Sequence, residues 1–250
     1  PLAYLKTSYD AKTKNLFVNG TVSYSILPNL LIKANLGYTD VSANTITTTP
    51  LSSLAPSIRG SSKNTSSFSS SQMNNWTVEP QLSWQPKIGN GRFDVLLGGT
   101  FLSQVDEGVA QRAQGFVDEA LMKNIGAATE FFPSASYYSQ YRYNAIFGRV
   151  NYTHADKYII NITGRRDGSS RFGPGKQFSN FGAVGAAWIF SDESFIKHSL
   201  HFLSFGKIRG SLGITGNDQL TNYQYLDTYS PSVPYGNQAA IGPVRLANPD

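Results

Sequence analysis

Hydrophobic and polar residues alternate with period two along most of the chain, which is the signature of half-buried strands. In residues 76–86, Trp76, Val78, Leu82 and Trp84 share one face while Thr77, Glu79, Gln81, Ser83 and Gln85 share the other. Residues 92–102 set Phe93, Val95, Leu97 and Phe101 against Arg92, Asp94 and Thr100. Residues 31–41 and 203–214 divide in the same way. The pattern predicts eight strands, at about 15–26, 31–41, 76–86, 92–102, 143–153, 157–167, 178–190 and 203–214. Pro80 fits poorly inside one of them, because a mid-strand proline removes a ladder hydrogen bond.

The connections alternate too. Short links follow every odd strand: Leu27–Leu30, Lys87–Gly91, His154–Asp156 and a longer Ser191–Phe202. Long links of about 42–75, 103–142 and 215 onward follow the second, fourth and eighth strands, and a shorter Gly168–Gln177 follows the sixth. Tight turns therefore gather on one side and long loops on the other, as in transmembrane barrels with short periplasmic turns and long extracellular loops. Loops this long are uncommon in compact soluble domains. From 41 to 75, Ser, Thr and Asn supply 20 of 35 residues, a composition that reads as loop or disorder. Within Gly108–Ala128, the spacing of Val117, Leu121, Ile125 and Ala128 predicts a short helix.

A soluble sandwich also alternates, with its apolar face turned inward. Two features tilt the pattern toward lipid. Aromatics sit at strand ends (Tyr24, Tyr38, Trp76, Trp84, Tyr152, Tyr158), as interfacial girdles do. The strands also approach the 9–11 residues of a tilted membrane strand. Composition agrees with strands wet on one face: 40% hydrophobic but 13% aromatic, with 23 glycines and a mean hydropathy of -0.26. No run approaches the roughly 20 apolar residues of a membrane helix. The start PLAYLKTSYD has neither a signal peptide nor an initiator Met, and reads as the start of a segment of a longer chain.

Charge adds little. The net charge is +5, yet the bases are scattered, which argues against a nucleic-acid partner. Cysteine is absent, so neither disulfides nor thiolate metal sites arise.

The densest charge lies in GRRDGSSRFGPGKQF, residues 164–178, where glycines near Lys176 invite a phosphate-loop reading. That reading fails. The residue five before Gly175 is Ser170, Gln177 follows the lysine, and no helical period comes after. Other motifs are weaker. SFIK (Ser194–Lys197) matches S-x-x-K without its partner motifs and reads as a short turn. His154, His198 and His201 show no ligand spacing. Asp106-Glu107 and Asp118-Glu119 read as solvated loop charge, with no support for a calcium site. No catalytic, cofactor or metal constellation is expected, and the chain does not read as an enzyme.

FGRVNYTHADKYIINITGRRDGSSRFGPGKQFSNFGAVGAAWIFSDESFIK, followed by KIRGSLGITGNDQL and YQYL, strongly resembles the SusC/RagA family of TonB-linked outer-membrane transporters of Bacteroidota. YSILPNLLIKANLGY and FDVLLGGTF are similar to further barrel hairpins of that family, so the likeness covers nearly the whole of residues 1–250. The resemblance implies a fold and an activity. The fold is all-β, an antiparallel transmembrane β-barrel segment: about eight strands of a barrel of roughly 22, all within one barrel domain. The activity is TonB-driven import of oligosaccharides or peptides across the cell outer membrane, beneath a SusD-like surface lipoprotein. The plug, the TonB-contacting segment and the last strands of that family are not among these residues. Alternatives are a small autonomous outer-membrane barrel, porin-like or enzymatic, and a soluble glycan-binding sandwich. The family signature, Arg165, Arg166, Asp167, Gly168, Ser169, Ser170, Arg171, Phe172, Gly173 and Pro174, reads as a structural corner where the strand leaves the membrane. Tyr137, Tyr138 and Tyr141 are the residues expected to touch substrate or partner, and the loop 103–142 around them is expected to serve capture rather than barrel stability.

Overall fold

A computed structural model describes residues 3–199, 202–235 and 238–247. Nine strands form one sheet: β1 (Ser8–Leu27), β2 (Leu30–Thr49), β3 (Thr65–Trp84), the two-residue β4 (Lys87–Ile88), β5 (Gly91–Gln114), β6 (Glu130–His154), β7 (Tyr158–Ser169), β8 (Phe178–Trp188) and β9 (Ile208–Ile214). The order is β1-β2-β3-β5-β6-β7-β8-β9, with β4 paired to β5 and with β1 and β9 as the edges. The sheet is therefore open within these residues. β10 (Thr228–Tyr235) and β11 (Gln238–Arg245) form a separate antiparallel hairpin. A single continuous sheet replaces the two packed layers of the sandwich alternative.

All eight predicted strands exist, but five are much longer than the pattern indicates and the last, predicted at 203–214, is confined to Ile208–Ile214. β1, β2 and β3 have 20 residues each, β5 has 24 and β6 has 25. Twenty residues at about 3.3 Å each span roughly twice the ~30 Å hydrocarbon core of a bilayer. The extra length lies in the stretches read as loops. Residues 42–49 and 65–75 are strand, so the Ser/Thr/Asn-rich segment is not disordered and its connection shrinks to 50–64. Likewise 103–114 and 130–142 are strand, which puts Asp106 and Glu107 in β5 and leaves 115–129 as the connection. In 42–49 and 65–75, hydroxyl and amide side chains on both faces erase the alternation, while β-branched threonines still favour extended backbone. β3 runs unbroken through Pro80.

The expected helix in Gly108–Ala128 is also absent. Two 3-10 turns, Glu119–Leu121 and Ile125–Ala127, take its place. Asp118 accepts a bond from Ala120 N–H and Asn124 one from Gly126 N–H, so the Asx side chains compete with helix propagation. The Ser191–Phe202 link begins in a 3-10 turn at Phe190–Asp192 and contains a short helix at Ser194–Ser199 that absorbs SFIK. His201 lies outside the described residues.

Two compact units are distinguished, Pro1–Val18 with Gly37–Trp76 and Gln104–Gln140, and Asn19–Leu36 with Thr77–Ser103 and Tyr141–Asp250. The first carries the connections 50–64 and 115–129 and has a small core of its own. Ala113, Phe116 and Met122 are buried there, against Phe68, Ile125, Ala127 and Ala128. Asn64 joins the two connections: its Oδ1 accepts from Leu51 N–H at 2.8 Å, its Nδ2 donates to Phe116 C=O at 3.1 Å, and its own carbonyl accepts from Gly115 N–H at 3.2 Å. Ser66 Oγ donates to Met122 C=O at 2.7 Å. The Glu119 carboxylate accepts from Ser52 N–H and Oγ, and those two bonds hold its carboxyl below the ordinary range.

The second unit carries the tight turns and a clear division of faces. Paired positions run Val150–Ile162–Val184–Leu212 across β6 to β9, and Tyr152–Ile160–Ala186–Gly210 beside them. Large apolar side chains on this face stay exposed, from Ile146 and Leu97 to Leu212. The predicted aromatics Trp84 and Tyr158 stand at its tight-turn border, and Tyr152 packs on Phe93 at 4.6 Å. The opposite face carries Arg149 bonded to Asp94 at 3.1 Å, then Asn161, Thr163 and Arg165. An apolar face without cover beside a polar one is the pattern of strands with lipid on one side.

Glu193 fastens the β8–β9 connection to the neighbouring turn. It accepts from Tyr158 OH at 2.6 Å, Trp188 Nε1 at 3.2 Å and Lys157 Nζ at 3.1 Å. These bonds, the tyrosine's first, hold its carboxyl below the ordinary range. A lowered folded-state value means stability present above the unfolded value of about 4.5 and lost as pH falls through the lower, folded one. Thermal melts of the full-length protein are thus expected to lose midpoint in acid, below the ordinary carboxylate range. Glu193→Gln should lower the midpoint at neutral pH and flatten that acid limb; an unchanged limb would show that other carboxylates govern it.

Candidate functional site

The second unit's polar face holds a cleft of about 470 Å³. Its walls come from Thr77 and Glu79 of β3, Thr100 and Leu102 of β5, Tyr141 and Tyr143 of β6, Asp167 and Ser169 of β7, and Ser179 and Phe181 of β8. Alternation along each strand places them there: these are the residues opposite the apolar set. Phe172 and Gln177 of the β7–β8 connection and residues 216–219 complete it.

The signature residues form one side of this cleft and the corner behind it. The pleat sends Arg165 and Arg166 to opposite faces. Arg165 Nε donates to Asp167 Oδ1 and its Nη2 to Tyr143 OH, both at 2.5 Å, and its guanidinium lies 5.3 Å from the Phe147 ring. Arg166 instead lies 5.2 Å over the Phe178 ring on the other face. A Cβ at Gly168 would come within 2.5 Å of the Phe178 ring and force it to shift, and Gly175 has φ +83°. Ser170 exchanges bonds with Arg142: Ser170 N–H donates to Arg142 C=O, and Arg142 N–H donates to Ser170 Oγ. Phe172 N–H donates to Ser169 C=O, and Lys176 N–H closes a turn onto Gly173 C=O, spanning Pro174.

Asp218 is the hub of the arrangement. Its Oδ2 accepts from Tyr141 OH at 2.5 Å and Ser169 Oγ at 2.8 Å. Arg171 Nη1 donates to its carbonyl at 2.8 Å, Arg171 Nε donates to Asn222 Oδ1 at 3.1 Å, and the Arg171 guanidinium stacks 4.1 Å above the Tyr141 ring. Asp218 and Asn222 were not among the residues singled out by sequence. They lie 77 and 51 positions from the partners named here, Tyr141 and Arg171, and only the fold joins them.

The three expected contact tyrosines separate. Tyr141 lines the cleft. Tyr137 and Tyr138 belong to the first unit, are exposed and line no part of the cleft. Tyr137 packs over Gly108, and alternation puts Tyr138 on the other face. Among the described residues no group of His, Asp and Glu has the arrangement of a metal site.

No family model matches the chain. TonB-dependent receptor P39 of Formosa agariphila is 37% identical over 107 residues, 43% of this chain and 10% of that protein. TonB-dependent receptor P3 of the same organism is 29% identical over 233 residues, 92% of this chain and 23% of that protein. TonB-dependent receptor SusC of Bacteroides thetaiotaomicron is 26% identical, again over 92% of this chain and 22% of its own length. The chain thus spans a quarter or less of these relatives. The RagAB peptide transporter superposes on 99% of this chain and 27% of its own, with a TM-score of 0.87 and 20% identity. The RagAB peptide importer in its closed-closed state superposes on 98% with a TM-score of 0.84 and 17% identity. At such identities the structural match shows the fold.

Proposed function

We propose that this chain, a SusC/RagA-like segment of a TonB-dependent receptor barrel, forms part of the wall of an outer-membrane nutrient importer. In this reading the apolar face meets the lipid bilayer and the polar face lines the import route. The cargo is an oligosaccharide or a peptide, a SusD-like lipoprotein covers the outer entrance, and TonB supplies energy through parts of the receptor beyond these residues. The observation that carries the reading is the whole-chain correspondence: 92% of the residues align with a TonB-dependent receptor and 99% superpose on a RagAB chain. All 250 residues then belong to one barrel domain, not a separate catalytic or binding module.

Arg165 to Pro174 serve, in this reading, as the corner that ends β7 and starts β8, because their side chains and backbone are spent on Tyr143, Arg142, Asp218 and Asn222. Tyr141 contributes to the wall of the route. Tyr137 and Tyr138 offer exposed rings to cargo or lipoprotein.

Deleting the gene in its host should abolish growth on one class of nutrient, glycan or peptide, and removing TonB should reproduce the defect. The full-length protein should fractionate with the outer membrane and co-purify with a surface lipoprotein. Uptake that persists without TonB would refute the importer reading and leave a passive barrel.

A further inference from the structure

We propose that the cleft beside Glu79 binds the ammonium group of a small polar ligand. At about 470 Å³ the cleft has the size of a ligand pocket. Three carboxylates line it (Glu79, Asp167, Asp218) and, among the described residues, no lysine or arginine does, although the chain has 21 bases against 16 acids. Two of the three are already compensated from outside the lining: Arg165 bonds Asp167, and Arg171 lies 3.9 Å from Asp218. Glu79 is different. Among the described residues it has no ion pair and no side-chain hydrogen bond, and the hydroxyls of Thr77 and Thr100 beside it are equally unspent.

A neutral ligand seated there would strip water from the Glu79 carboxylate and leave its charge unmatched, which is costly. An ammonium removes that cost and donates to the carboxylate and to the hydroxyls of Thr77 and Thr100. The ligand's remaining polar groups meet Ser179 and Gln219. Two sources supply this chemistry, a basic peptide and an amino sugar. The inference rests on the import reading only for how a ligand reaches the polar face.

Binding is measured on the detergent-solubilised full-length protein with two matched pairs of probes: trilysine with trialanine, and the glucosamine trisaccharide with its N-acetylated form. The cationic member of at least one pair should bind and its neutral partner should not; which pair responds identifies the source. Glu79→Gln, isosteric and on a half-exposed strand position, should weaken that binding about tenfold or more. Asp106→Asn, a carboxylate in the first unit, should leave it unchanged, and added salt should weaken the wild type. Equal binding of charged and neutral probes, binding of neither cation, or a Glu79→Gln affinity equal to wild type overturns the inference. TonB-dependent uptake is scored separately, so failure of the cleft and failure of the importer reading give different results.

Discussion

Asn64→Ala in the full-length protein should release both long connections of the first unit together. Asn64 is 8% exposed, and its side chain bonds Leu51 N–H on one connection and Phe116 C=O on the other. Truncation leaves those two backbone groups without partners, at about 1–3 kcal/mol each. The core they stand against is small, Ala113, Phe116 and Met122 with four partly buried neighbours, so a loss of that size opens it. Hydrogen exchange should show residues 50–64 and 115–129 losing protection in parallel, with β7 and β8 unchanged. Loss confined to 50–64 would mean that the connections fold independently. Met122→Ala should act in the same direction, since it truncates a fully buried side chain of that core.

The same contacts revise what the loop 103–142 does. Its sequence suggests an excursion that a short Gly/Ser link could replace without harm to the barrel. The structure puts strand at 103–114 and 130–142 and the core residues Phe116 and Met122 between them. Replacing Gln104–Gln140 is therefore expected to disorder 50–64 as well, and a resulting loss of uptake would not by itself locate a capture site.

Leu97→Arg should sharply lower the amount of full-length protein in the outer membrane. Leu97 is 52% exposed on the apolar face of β5 and packs beside Gly148 of β6. A charged side chain on a lipid-facing strand position near the midplane costs about 2–4 kcal/mol. The comparison has to be an arginine on the opposite face. Asp94 would be a poor choice, because an arginine there would confront Arg149, its present ion-pair partner. Thr100 on the polar face has no such neighbour, and Thr100→Arg should insert at near wild-type level. Equal outer-membrane levels of the two variants, by quantitative immunoblot of fractionated cells, would defeat the assignment of faces.

What the chain determines locally was legible. Alternation in 76–86 and 92–102 placed two strands and told their faces apart, and the rhythm of short and long links separated the tight turns from the long connections. A period-two pattern follows directly from the geometry of one extended strand, so no partner is needed to read it. The string 164–178 reads as a strand end, a glycine-rich turn and a return strand, and the structure has β7 end at Ser169 and β8 begin at Phe178, again a local matter of turn conformation. Three things escaped. The outer halves of β2 and β3 are mostly Ser, Thr and Asn on both faces, and those of β5 and β6 mix charged, amide and aromatic residues, so extended backbone left no clean alternation there. The short core around Met122 depends on Asn64 and Ser66, more than fifty positions away along the chain. The cleft sets Glu79 on one strand and Tyr143 and Phe181 on others, and neither a carboxylate without a partner among the described residues nor a lining of them without bases can be known until the strands are in register. The sequence alone determined which face of each strand is apolar; which polar residues meet across strands was decided only by tertiary pairing, because hydrogen-bond register brings together residues that the chain itself keeps far apart.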